Sequence, residues 1–290
     1  MASQSDAPVP QSQNLNDDLN ALSVDELDRL TQNILDETTS TRPLLSETSP
    51  LSVLREEYER GSGTFLKQID YLSSKGYTHL RRARGDGDCF YRSLAFAWVE
   101  SLLTSQDSAF DSSMALSLLE SSLPSLEAAG FEGSVCQDFY DELANLVRRI
   151  ASPGPNEPPL TPSTLLEAFQ NPEISNSIVV FLRLLTSAAI RADQDSYEAF
   201  LVHPETGGPI TAQTFCENFV EPCGKEADDV QITVLTKALN FNIQVAYLDG
   251  RSSDGTVNFV EFQIAPPAPG APPPPVLLYR PGHYDILEKH

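Results

Sequence analysis

The sequence predicts an α+β fold, with a helical body packed against a small, mostly antiparallel sheet. Two observations predict it. Apolar residues recur at helical spacing through most of the chain, as in Phe90, Leu94, Trp98 and Leu102. Clear period-two alternation begins only at Ile243. Helices segregated from strands in this way mark α+β rather than alternating α/β architecture. A chain of 290 residues can bury a sizeable core, in one large or two small domains.

Residues 1–49 read as a flexible extension. Met1 to Asn20 is rich in Ser, Gln, Asn and Asp, a composition that buries little. Ser23 and Glu26 have the spacing of a capping box, and Leu27, Leu30 and Ile34 beyond them share one face of a short helix. So short a helix is marginal in water, which leaves two roles: docking on its own domain, or waiting for a partner. Thr38 to Pro50 returns to Ser, Thr and Pro.

The globular part is expected over residues 50–290. Leu51 to Tyr58 and Phe65 to Ser73 have helical apolar patterns, and Tyr77 to Arg82 alternates in part. A helix follows from Phe90. The next is expected over Asp111 to Leu126, interrupted at Pro124 because proline removes a donor and crowds the preceding turn. Phe139, Leu143, Val147 and Ile150 form a further stripe. Ala151 to Pro162 holds five prolines and is a loop, and Thr161-Pro162 starts a new helix. Asn176 to Ala192 is apolar around most of its circumference, so it is a largely buried central helix. Thr211 to Phe219 and Ile232 to Leu239 are shorter helices, the second capped by Asp228 or Asp229. Ile243 to Leu248, Phe259 to Ile264, Val276 to Tyr279 and Tyr284 to Leu287 are the strands. The tract Ala265 to Pro275 is a stiff connector or a recruitment segment.

The net charge is -22, from 41 acids and 19 bases. That argues against nucleic acid and anionic membrane, whose affinity comes from basic residues. It suits either solubility or a partner with a basic face. No secretory signal and no membrane span are expected, so an intracellular, reducing compartment, the cytoplasm and also the nucleus, is the default. The four cysteines, at 89, 136, 216 and 223, lack CxxC spacing, which excludes a familiar zinc pattern.

One stretch carries chemistry: Arg84-Gly85-Asp86-Gly87-Asp88-Cys89-Phe90-Tyr91-Arg92. The glycines permit a tight turn, and Cys89 falls at a helix start, where free N–H groups favour a thiolate and can face an oxyanion. Read locally, Cys89 is either a nucleophile or a buried core cysteine. The second stretch is Tyr279-Arg280-Pro281-Gly282-His283-Tyr284-Asp285-Ile286-Leu287. His283 and Asp285 stand two apart, so on a strand they project to one side and the carboxylate can orient the imidazole. His79 and His203 have surface or packing settings.

These two stretches resemble the cysteine and histidine boxes of the ovarian-tumour (OTU) deubiquitinases, in their otubain branch. Leu51 to Tyr58, Val180 to Ser187 and Glu221-Pro222 with Lys225-Glu226 resemble otubains too, in the same order. The resemblance implies a papain-like OTU cysteine protease fold and a thiol isopeptidase that removes ubiquitin from lysine side chains. It implies Cys89 as nucleophile, His283 as base, Asp285 as orienting acid, and Asp86 as the cysteine-box acid beside the oxyanion site. It implies ubiquitin and polyubiquitin as partners, ubiquitin-conjugating enzymes as further ones, Leu27, Leu30 and Ile34 as a contact face, a monomer, and no metal or organic cofactor. It also implies a preference for chains joined through ubiquitin's forty-eighth residue, a lysine. The alternative reading is a weakly catalytic regulator that binds ubiquitin or its conjugating enzymes. One departure stands out: otubains usually have Asn before the cysteine, and this chain has Asp88. An outward Asp88 is expected, since otherwise Asp86, Asp88 and Asp285 would crowd one thiolate.

Overall fold

The computed structural model describes residues 42–289, apart from 60, 62, 155–156, 205, 265 and 267–271. The face of Leu27, Leu30 and Ile34 lies outside the described residues.

The centre is a six-stranded mixed sheet in the order β1-β2-β6-β5-β3-β4. Its strands are β1 Leu45–Pro50, β2 His79–Ala83, β3 Ile243–Tyr247, β4 Asn258–Phe262, β5 Val276–Arg280 and β6 His283–Glu288. Neighbours run antiparallel except β3 and β5, which are parallel. Strand β1 was not foreseen. Its Ser/Thr/Pro composition reads as extension, yet Leu45 is wholly buried and the strand pairs with β2 from Leu45↔Ala83 to Pro50↔His79. Edge position tolerates Pro50, which ends the strand. The folded domain therefore starts before residue 50.

Helices cover both faces of the sheet. On one side lie α1 Leu51–Tyr58 and α2 Gly63–Ser74, whose Leu51, Leu54, Ile69 and Leu72 pack on Leu80, Ala246, Leu278 and Leu287. On the other side is the larger body: α3 Cys89–Leu103, α4 Ser108–Ala128, α5 Gly133–Ala151, α6 Pro162–Gln170, α7 Pro172–Ala192 and α8 Asp229–Ala238. Alternation along each strand serves both layers: Leu277 and Ile286 face the large body, while Leu278 and Leu287 face α1 and α2.

Two expectations about helices change. Helix α4 runs through Pro124 without a break, because one missing donor is outweighed by burial of Leu119 and Leu126 on either side of it. Helix α7 has the length and apolarity of a membrane span, contrary to expectation. Here it is the core helix: Ile178, Val179, Phe181, Leu182, Leu185 and Ile190 are buried within the fold. Starts are set by caps. Thr161 and Thr164 form a reciprocal box that spans Pro162, Asn171 caps α7, and Asp228 with Gln231 boxes α8.

Candidate active site

Helix α3 begins at Cys89, and it enters the core at once: residues Cys89 to Val99 are all buried. This places its first turn against β6. Gly87 has φ +77°, and a Cβ there would lie 2.2 Å from the Gly224 carbonyl oxygen. Only glycine lets the turn and the 220–227 segment approach so closely.

Strand β6 supplies the rest of the site. His283 and Asp285 project to one side, as the spacing predicts, and His283 Nε2 lies 2.8 Å from Asp285 Oδ1. Between them, the Tyr284 N–H donates to Cys89 Sγ at 3.4 Å. One strand thus carries the candidate base, the candidate orienting acid and a backbone donor aimed at the sulfur. Among the described residues, His283 Nδ1 is buried and makes no hydrogen bond of ordinary geometry. With Nε2 held by Asp285, Nδ1 is the ring nitrogen left to exchange a proton with Cys89.

The acid is held firmly. Asp285 Oδ1 also accepts from the Ala83 N–H at 3.1 Å, and Oδ2 accepts from Arg280 Nη2 at 2.5 Å. The β2–β6 pairing stops at Arg81–Ile286, which frees the Ala83 N–H for the carboxylate. Burial alone would raise the Asp285 carboxyl, but Arg280 and His283 hold it well below the usual carboxylate range. Burial alone would likewise lower His283, but Asp285 and Cys89 outweigh it and raise the imidazole from 6.5 to about 9. Burial pushes the Cys136 and Cys216 thiols up, which disfavours both as nucleophiles.

Asp86 does not join the trio. Its carboxylate accepts from the Asp88 N–H at 3.1 Å, from Arg92 Nη1 at 2.9 Å and from Arg84 Nε at 3.2 Å. It shapes the turn. The Asp86 and Asp88 N–H groups are both engaged, to Arg84 O and Asp86 Oδ1. Among the described residues the Gly87 and Cys89 N–H groups have no acceptor, so these two remain for an oxyanion.

The expectation of an outward Asp88 is wrong. Asp88 is buried, and its Oδ1 accepts from Arg183 Nε and Nη2 at 3.0 and 2.5 Å and from the Gly224 N–H at 3.0 Å. A buried cation and a backbone N–H hold its carboxylate, not solvent. The three acids do not crowd one sulfur, because each has its own arginine. Asp86 pairs with Arg92, Asp88 with Arg183, and Asp285 with Arg280. These arginine pairings are not visible in the sequence pattern. Arg183 did leave a signal, since a lone arginine in the apolar run Val179 to Leu185 must be paired once buried. His79 and His203 lie elsewhere, on β2 and against Phe219.

The comparisons with known proteins show the family. A profile described as Peptidase C65 Otubain matches residues 37–289. The chain belongs to the otubain peptidase family. It is 35% identical over 272 residues to ubiquitin thioesterase OTUB1 of Homo sapiens, covering 93% of each. It is 35% identical over 258 residues to the ovarian tumor domain-containing deubiquitinating enzyme 1 of Arabidopsis thaliana, covering 84% of this chain and 80% of that one. Among solved structures, the complex of h/ceOTUB1 with ubiquitin aldehyde and UBCH5B~Ub aligns with a TM-score of 0.74 at 28% identity. That alignment covers 91% of this otubain and 98% of that chain. The papain-like OTU fold is therefore this chain's fold, with helices on both faces of a mixed sheet.

Proposed function

We propose that this otubain is a cysteine isopeptidase that releases ubiquitin from lysine side chains. The observation that supports the reading best is the meeting of the α3 start with β6, which sets Cys89 beside a histidine already held by a carboxylate. Similarity to the ubiquitin thioesterases names the substrate class.

The chemistry follows from the residues. His283 takes the Cys89 proton, and Asp285 with Arg280 behind it stabilises the resulting imidazolium. The Tyr284 N–H donates to the sulfur, and the positive end of α3 lies at Cys89. The sulfur attacks the isopeptide carbonyl, and charge on its oxygen meets the Gly87 and Cys89 N–H groups. The C–N bond breaks as His283 gives its proton to the leaving lysine amine. Water, deprotonated by His283, then hydrolyses the thioester and returns Cys89. A preference for chains joined through the forty-eighth residue of ubiquitin belongs to the same reading, and rests on the otubain resemblance.

A second reading has its own support. Structural relatives are complexes of OTUB1 with ubiquitin aldehyde and UBCH5B~Ub or UBC13~Ub. By that likeness the chain also binds ubiquitin-charged conjugating enzymes, with Leu27, Leu30 and Ile34 as a contact face. A ubiquitin probe with a C-terminal electrophile separates the readings. A covalent adduct at Cys89, together with cleavage across a panel of diubiquitin linkages, supports the isopeptidase. Binding without adduct or cleavage leaves the regulator alone.

A further inference from the structure

Arg183 has no role in the three-residue chemistry, yet it is wholly buried beside it. It rises from the middle of α7 and lies over the Tyr91 ring, 4.3 Å from the centroid. Nε and Nη2 reach Asp88 Oδ1. Nη2 also donates to Gly87 O at 3.0 Å and Lys225 O at 2.6 Å, and Nη1 donates to Val220 O at 2.9 Å. One guanidinium therefore binds the backbone of the cysteine turn on one side and the 220–225 segment on the other. Asp88 repeats the link, since the oxygen that takes Arg183 also takes the Gly224 N–H.

We propose that Arg183 and Asp88 are positioning residues that hold the oxyanion-binding N–H groups in place. The proposal rests on the isopeptidase reading and deepens it. The reason is the peptide plane. A trans peptide is rigid, so a carbonyl fixed at Gly87 fixes the plane it shares with Asp88. That plane borders both free donors, the Gly87 N–H before it and the Cys89 N–H after it. Glycine at 87, with φ +77°, has little intrinsic preference to keep this shape. The arginine supplies the constraint, and the planar fork makes the role one that lysine cannot fill. The carboxylate at 88 is then the counter-charge that lets a guanidinium lie buried at the turn.

The test uses the full chain with Arg183→Lys, Arg183→Met, Asp88→Leu and Asp88→Asn. Three readings are taken: kcat and KM on a ubiquitin-linked fluorophore, inhibition by ubiquitin aldehyde, and the rate at which iodoacetamide alkylates Cys89. The aldehyde adduct is a thiohemiacetal whose oxygen takes the oxyanion position, and alkylation puts no oxygen there. Displaced donors should cost less than the hundredfold or more that follows loss of one, so kcat should fall about 10–100-fold in Arg183→Lys and Asp88→Leu, with KM within about threefold. Aldehyde inhibition should weaken in parallel, and alkylation should stay near wild type. Asp88→Asn keeps the oxygen acceptor and should stay within about tenfold of wild type. Arg183→Met, if it folds poorly, is replaced by Arg183→Lys, whose thermal melt is recorded beside its kinetics. Unchanged kcat in Arg183→Lys would overturn the proposal. So would a fall in alkylation matching the fall in kcat, which would mean general damage to the site. A wild-type chain that forms no adduct with the ubiquitin probe would overturn the isopeptidase reading itself, and this one with it.

Discussion

Replacing Asp285 by Asn isolates the electrostatics of the site. The carboxylate lies 2.8 Å from His283 Nε2, and both groups are almost fully buried. In this setting the imidazole titrates at about 9 rather than 6.5. That rise corresponds to about 3 kcal/mol in favour of the charged ring. Asparagine keeps an oxygen for the ring N–H but removes the charge, so the ring loses most of this preference while burial still opposes its charge. Its pKa should fall to 6.5 or below. At pH 7.5 the imidazolium then becomes the minor form, and kcat/KM should drop about tenfold or more. The assay is a pH–rate profile on a ubiquitin-linked fluorophore. Wild type should lose activity as pH rises through about 9, and the variant should lose it well below that. The same shift has a stability sign. A raised histidine contributes fully below its unfolded pKa near 6.5, and that contribution disappears as pH rises through about 9. Wild-type melting temperature should therefore decline over this window, and the variant's should decline less. Asparagine also leaves Arg280 without its counter-charge, a change that costs about 3–5 kcal/mol for a buried pair, so rates are read well below the variant's melt. A folded Asp285→Asn protein with an unmoved alkaline limb and near-normal kcat/KM would refute the reasoning.

Other outcomes follow from single contacts. Cys89→Ala should abolish probe labelling and chain cleavage while ubiquitin binding persists, whereas Cys136→Ala and Cys223→Ser should stay active; mass spectrometry of the adduct checks both. Gly87→Ala should lose more than about tenfold in kcat/KM, because a left-handed backbone costs about 1–2 kcal/mol for an L-residue and its Cβ would meet the Gly224 carbonyl at 2.2 Å. Removing residues 1–41 should leave the melting temperature within a few degrees. Removing residues 1–50 should lower it sharply, since β1 and the buried Leu45 go with it, and calorimetry distinguishes the two.

Much of the molecule was legible in the sequence because its signals are local. Helical stripes, caps at Thr161 and Asp228, and alternation from Ile243 depend on neighbours a few residues away. The pairing of His283 with Asp285 was legible for the same reason, since strand geometry puts i and i+2 on one side. The ordered boxes around Cys89 and His283 point to the otubain family by sequence alone. What the sequence could not decide were partners far apart in the chain. Strand β1 is polar and proline-ended, and only β2 beside it makes it a strand. Asp88 looks like a surface acid beside a thiolate until Arg183, 95 residues away, is brought under it. Cys89 reads locally as a nucleophile or a core cysteine, and its contact with the Tyr284 N–H, 195 residues away, comes only from the fold. The physical reason is the same in each case. Propensity and periodicity act over one or two turns of chain, whereas the cost of burying a charge is settled by whichever opposite charge the fold delivers to it.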